Sequence, residues 1–216
     1  LIKYHPTREL LVSHSAAKLP LSLSIAVSAH LEMCAQCGSL VRQITEQQAA
    51  LFGAQDVSEK INFSTMLENI FEHKPELQTK PQKTVINSIS VAGTEYQLPR
   101  AFARFTKLKW SSFGVISRAR VVKDEGNVRA SLLHIDKNGT IPSHTHKGYE
   151  LTLLLAGSFT DEQGVYNKGD FIWLDNDLKH TPFTQEGCLC YAVQDAPLRF
   201  VAGISKALNP LGHLIY

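Results

Sequence analysis

The chain has 216 residues, of which 44% are hydrophobic and 19% charged; this balance excludes disordered and low-complexity classes and calls for a packed core, as one large domain or two small ones. Its 22 Lys and Arg against 20 Asp and Glu leave a charge of +2, and no stretch gathers the positives into a stripe, so nucleic acid is excluded as a direct partner. Apolar runs such as Leu151 to Gly157 stop well short of the roughly 18 to 20 residues of a membrane span, and no signal pattern opens the chain, so a cytoplasmic protein is expected.

Residues 1–72 carry helical periodicity, with Leu10, Leu11, Leu21, Leu23, Ile25, Val27, Leu31, Leu40, Val41 and Ile44 spaced three to four apart. Three or four helices are expected here, with Pro6 and Pro20 near helix starts and a further amphipathic segment over Ser58 to Phe71. Residues 73–83 are polar, hold Pro75 and Pro81 and show no apolar face, which marks a linker. Residues 84–216 change to short β-branched or alternating runs: Trp110 to Arg118, Arg120 to Val122, Ala130 to Ile135, Glu150 to Ala156, Gly169 to Leu174 and Leu189 to Val193. With turns at Lys137-Asn138-Gly139 and Gln163-Gly164, these predict an antiparallel sandwich or barrel. The fold class is multidomain α + β, a helical bundle followed by a β-barrel.

In the helical part His30, Cys34 and Cys37 stand at i, i+4 and i+7. On a continuous helix they fall within about 60° of arc, so one face presents an imidazole and two thiolates to an ion. A tetrahedral zinc site needs a fourth ligand, for which His5 is the expected residue and His14 its competitor. The plain alternative for Cys34 and Cys37 is a dithiol redox pair or two small buried residues. The spacing from His5 to Cys37 resembles the zinc-binding anti-sigma domain of ChrR-type anti-sigma factors. The resemblance implies a structural zinc on His5, His30, Cys34 and Cys37, and a helical bundle that binds an extracytoplasmic-function sigma factor and withholds it from core polymerase. Ile61, Met66, Leu67, Ile70 and Phe71 are then candidate contacts, unless they close the bundle's own core.

In the second part His144, His146 and Glu150 share parity, so an extended segment points all three to the inside of a barrel; His180 follows thirty residues later. The set His144, His146, Glu150 and Gly157 is similar to the first cupin motif. Gly139 precedes His144 one residue closer than is usual there. Gly169 and His180 keep the second motif's separation, while Asp175, Asp177 and Thr184 replace its common proline, glycine and asparagine. The resemblance implies a divalent metal held by His144, His146, Glu150 and His180, zinc being the first choice among several. Tyr149, Tyr166 and His134 are candidate acid or base groups, with plain roles as half-exposed tyrosines and a core histidine; Cys188 and Cys190 are expected in the barrel interior.

Both halves together resemble one two-domain arrangement, an anti-sigma domain followed by a ChrR-type cupin domain. This implies a non-enzymatic transcription regulator that sequesters a sigma factor and releases it on oxidative stress such as singlet oxygen, through the cupin metal or through oxidation of Cys34 and Cys37. The alternative is a metal-dependent, dioxygenase-like cupin enzyme with a zinc-stabilised helical appendage.

Overall fold

The computed structural model describes residues 1–54, 63–72, 87–105, 107–174, 178–201 and 209. The expected linker 73–83, Ile61, Asp175 and Asp177 lie outside them.

Four helices form within the first 72 residues: α1 (Arg8–Ser15), α2 (Leu21–Met33), α3 (Ala35–Gly53) and α4 (Ser64–Glu72). Thr7, after Pro6, caps α1 by accepting from the Leu10 N–H, and Pro20 precedes the first turn of α2. Pro20 offers no capping side chain. A carboxylate from the barrel does so instead: Glu125 accepts from the Ser22 N–H at 3.1 and 3.3 Å and from its hydroxyl. This satisfies an orphan donor and places negative charge at the positive end of the helix.

The expectation that His30, Cys34 and Cys37 share one continuous helix face is corrected. The helix breaks at Cys34, whose φ of −118° and ψ of 100° are extended, so His30 lies in the last turn of α2, Cys34 is the joint and Cys37 lies in the first turn of α3. The break turns the chain around the site rather than along it.

The second part contains eleven strands among the described residues. A hairpin of β1 (Ser88–Val91) and β2 (Thr94–Gln97) leads into a 3₁₀ turn (Arg100–Phe102). The main sheet runs β3 (Trp110–Phe113), β4 (Ile116–Glu125), β5 (Val128–Ile135), β10 (Cys188–Gln194), β7 (Glu150–Asp161), β8 (Gly164–Asn167), with β9 (Phe171–Leu174) also paired to β7. A small second sheet pairs β6 (His144–His146) with β11 (Leu198–Phe200). Every pairing among these strands is antiparallel. The run from Trp110 to Arg118, read as one strand, is a hairpin: Gly114 takes φ of 58° and turns β3 back onto β4.

Both faces of the central strands are buried. Leu132, Tyr191 and Leu153 are register partners on β5, β10 and β7, and they pack outward in one core with Leu23, Ile25 and Val27 of α2. Leu133, Cys190 and Leu154 form the next row, facing inward, where Cys190 and Leu154 pack with Phe159, Tyr166 and Ile172. This double coverage explains the nearly continuous apolar runs in β7 and β10. The helices therefore have no separate core: α2 lies on the outer face of the barrel, and the Tyr191 hydroxyl donates to the Ser22 carbonyl at 3.1 Å.

Candidate metal centres

The first centre lies where the N-terminal arm crosses the α2–α3 joint. His5 Nδ1 is 3.5 Å from Cys34 Sγ and 3.4 Å from Cys37 Sγ. A tetrahedron with arms of about 2.0 to 2.3 Å has edges of about 3.3 to 3.8 Å, so these separations suit one ion. His30 is fully buried; its Nδ1 is 2.8 Å from the Gly169 carbonyl, and its Nε2 has no hydrogen-bond partner. That carbonyl fixes the tautomer with Nδ1 protonated and leaves Nε2 as a bare donor facing the thiols. Burial lowers the His30 pKa to about 4 and raises that of the Cys37 thiol to about 12. A neutral His30 imidazole beside the Cys37 thiol, with Cys34 and His5 at hand, is a ligand set that a cation completes. His5, not His14, joins the group, and His14 stands apart with Ser28 and Leu31.

The arm reaches this place because the barrel holds it. Asp170 Oδ1 accepts from the backbone N–H groups of Lys3 (2.6 Å) and Tyr4 (3.1 Å), and the Phe171 N–H donates to the Tyr4 carbonyl at 3.0 Å. The Ile2 side chain lies against Gly169, whose φ of 95° and missing side chain allow the approach.

The second centre is inside the barrel. β6 carries His144 and His146, the start of β7 carries Glu150, and an isolated bridge pairs His180 with His144. All four are 2 to 6% exposed, and their ligand atoms lie within 4.8 Å of one another. His180 Nε2 is 2.9 Å from His144 Nε2 and 3.4 Å from His146 Nε2, and Glu150 Oε2 is 2.6 Å from His146 Nε2. The other ring nitrogens of two ligands are anchored: His144 Nδ1 on the Pro142 carbonyl at 2.9 Å, and His180 Nδ1 on Asp161 Oδ2 at 3.2 Å. Burial holds His144 near pKa 4. Burial pushes Glu150 up, but the His146 hydrogen bond and the surrounding imidazoles outweigh it and leave the carboxyl at about 2. Three imidazoles and an ionised carboxylate converging on one point fit a divalent ion.

Residues 99–198 match the family model described as the ChrR cupin-like domain. The match falls on the barrel part of the chain. The likeness extends to the helices: the chain is 27% identical over 211 residues, 97% of each chain, to the anti-sigma-E factor ChrR of Cereibacter sphaeroides. It also superposes, at 24% identity and a TM-score of 0.68, on a chain of the crystal structure of Rhodobacter sphaeroides SigE in complex with the anti-sigma ChrR, covering 90% of this chain and 100% of that one. The resemblance read from the two motifs is borne out, and with it the fold class of N-terminal helices and a cupin-like barrel.

Other expected residues fall elsewhere. In the cupin-like domain Tyr149 stacks on Trp173 with ring centroids 4.8 Å apart, and His134 lies beside Tyr96 and Asp136; neither belongs to the metal group. Tyr166 is buried, not half-exposed; burial first and then Asp161 raise its phenol pKa, so it stays protonated beside the carboxylate that orients His180. Cys188 and Cys190 are interior residues, as expected, with sulfurs 4.0 Å apart. Motif spacing missed Asp161 and Asp170, and gave Gly169 only as a motif glycine; their roles depend on how β7, β8 and β9 fold back beside the arm.

α4 differs most from a bundle helix. Met66, Leu67, Ile70 and Phe71 are 46 to 82% exposed, and no residue of α4 is buried. Among the described residues they do not close the bundle's own core. Phe63, Leu51 and Phe52 are exposed as well. No described helix is long and apolar enough to cross a membrane.

Proposed function

We propose that this chain is an anti-sigma factor: residues 1–72 bind and sequester an extracytoplasmic-function sigma factor in the cytoplasm, and the cupin-like part responds to oxidative stress such as singlet oxygen to release it. The observation that carries this reading is the similarity to ChrR over 97% of the chain, running through both ligand sets. The apolar face of α4 supports it, since an amphipathic helix that the described residues leave uncovered suits a groove on a partner. Residues 73–83 serve as the linker and 84–216 as the sensing unit. His5, His30, Cys34 and Cys37 hold a structural zinc that fastens the arm to α2 and α3; the four ligands leave no position for water. His144, His146, Glu150 and His180 hold zinc or another divalent metal, which would supply a Lewis-acidic point in the barrel. Binding without turnover suffices for regulation, and no catalytic residue is assigned.

For release, a change at the cupin metal reaches the helical site through His180, Asp161, Tyr166 and Tyr4. Three observations support this route: the Asp161–His180 contact, a Tyr4–Tyr166 ring separation of 5.0 Å, and Asp170 gripping the arm that carries His5. Replacing His144 and His146 together with alanine is expected to abolish induction of a sigma-dependent reporter while repression survives. Normal induction in that double variant would overturn the route and favour oxidation of the Cys34 and Cys37 thiolates, which zinc release concurrent with sigma release would report.

A further inference from the structure

Beside the cupin ligands lies a cavity of about 350 Å³, within the range that holds small organic ligands. At about 30 Å³ per water-sized atom it accommodates roughly a dozen non-hydrogen atoms. His144 and Glu150 form one part of its wall, while Phe113, Ile116, Leu133 and Phe200 make much of the rest apolar. Two cations complete the lining, Arg118 on β4 and Arg129 on β5.

Strand register explains why these cations face the metal ligands. Arg129, Gln194 and Glu150 are successive partners across β5, β10 and β7, so they share one face, and at about 4.8 Å per strand Arg129 stands about 10 Å from Glu150 at the backbone. Arg118 is the partner of Leu133, two rows along on that same face. Gln194 links the row to the metal site, its Nε2 donating to Glu150 Oε1 at 3.2 Å. Arg129 Nη1 is braced on the Gly126 and Val128 carbonyls at 2.6 and 3.1 Å. Burial, and then the charge of Arg120 on the same strand face, lower the Arg118 pKa.

Charge decides the class of occupant. Among the described residues Glu150 is the only acid lining the cavity, and it is committed to the ligand set. A divalent ion on three neutral imidazoles and one carboxylate keeps a net charge of +1, to which the two guanidinium groups add. Counted over the lining residues alone, positive groups outnumber negative ones, and the rest of the cavity surface is mainly apolar. We propose that this cavity binds an amphipathic organic anion, its carboxylate-like head toward the metal ligands and the arginines and its aliphatic part against Phe113, Ile116, Leu133 and Phe200. Such a molecule would be the sensing unit's ligand; that role rests on the function proposed above, whereas the binding site rests on the cavity alone.

Octanoate, acetate and 1-octanol, titrated calorimetrically into the metal-loaded full chain without any sigma factor, separate head from tail. Octanoate is expected to bind about tenfold or more tighter than either of the others, the gain of a charge-assisted contact over a neutral one. Arg118→Gln and Arg129→Gln are expected to weaken octanoate by about tenfold each with 1-octanol affinity, metal content and melting temperature unchanged, and Arg118→Lys to recover part of the loss. Equal affinity for octanoate and 1-octanol would overturn the proposal, as would octanoate binding unaffected by both glutamine variants. Complex formation with sigma, scored separately without ligand, tests the regulatory reading and does not alter what the titration decides.

Discussion

At the scale of single residues, the two centres are built from donors whose protonation is set by what lies behind them. His30 is aimed by a backbone carbonyl, His180 by Asp161 and His144 by the Pro142 carbonyl. Removing a direct ligand and removing its orienting partner should therefore differ in degree. His5→Ala is expected to strip metal from the helical centre, whereas His14→Ala leaves it, as read by metal analysis of the purified chains. Asp161→Asn is expected to weaken metal binding in the barrel by about 10- to 100-fold while leaving the helical centre loaded, measured by competition with a chelator. The ligands were legible because helix and strand periods put them at fixed spacings. Asp161 was not, because it meets His180 only once β7 and β8 have paired and the chain has returned to His144.

At the scale of elements, local patterns gave the helices and several of the strands but not the breaks within them. His30 to Cys37 satisfies a helical period, yet the chain opens at Cys34 so that arm, joint and α3 surround one point. The same tertiary demand supplies the cap of α2. Glu125→Ala is expected to cost about 0.5 to 2 kcal/mol in denaturant unfolding, since it removes the acceptor for the Ser22 N–H. α4 follows the opposite rule: its apolar face was legible as amphipathic, but only the fold shows that the described chain does not cover it. Ile70→Glu and Phe71→Glu are accordingly expected to leave thermal unfolding nearly unchanged and to weaken sigma binding by about tenfold or more, assessed by a pull-down and a melting curve on the same preparations.

At the scale of the whole molecule, the helices and the barrel share one core across the outer face of β5, β10 and β7. Sequence alone suggested two units because periodicity changes sharply near residue 84, and it carries no direct mark of the face on which two units meet. The outward row Leu132, Tyr191 and Leu153 is the physical trace of that meeting. Gly169 lies at the seam: a methyl group there would meet Ile2 at 2.5 Å on a backbone of positive φ. Gly169→Ala is expected to cost about 1 to 3 kcal/mol and to loosen the arm, seen as faster amide exchange at Lys3 and Tyr4.

Sequestration of a sigma factor is tested most directly by co-expressing the full chain with candidate extracytoplasmic-function sigma factors, purifying it and determining the stoichiometry and metal content. The predicted result is a one-to-one complex with two metal ions per anti-sigma chain, lost when Ile70 and Phe71 are both replaced by glutamate. A folded, metal-loaded chain that retains none of the candidates, or a complex indifferent to the α4 replacements, would refute sequestration through this helix.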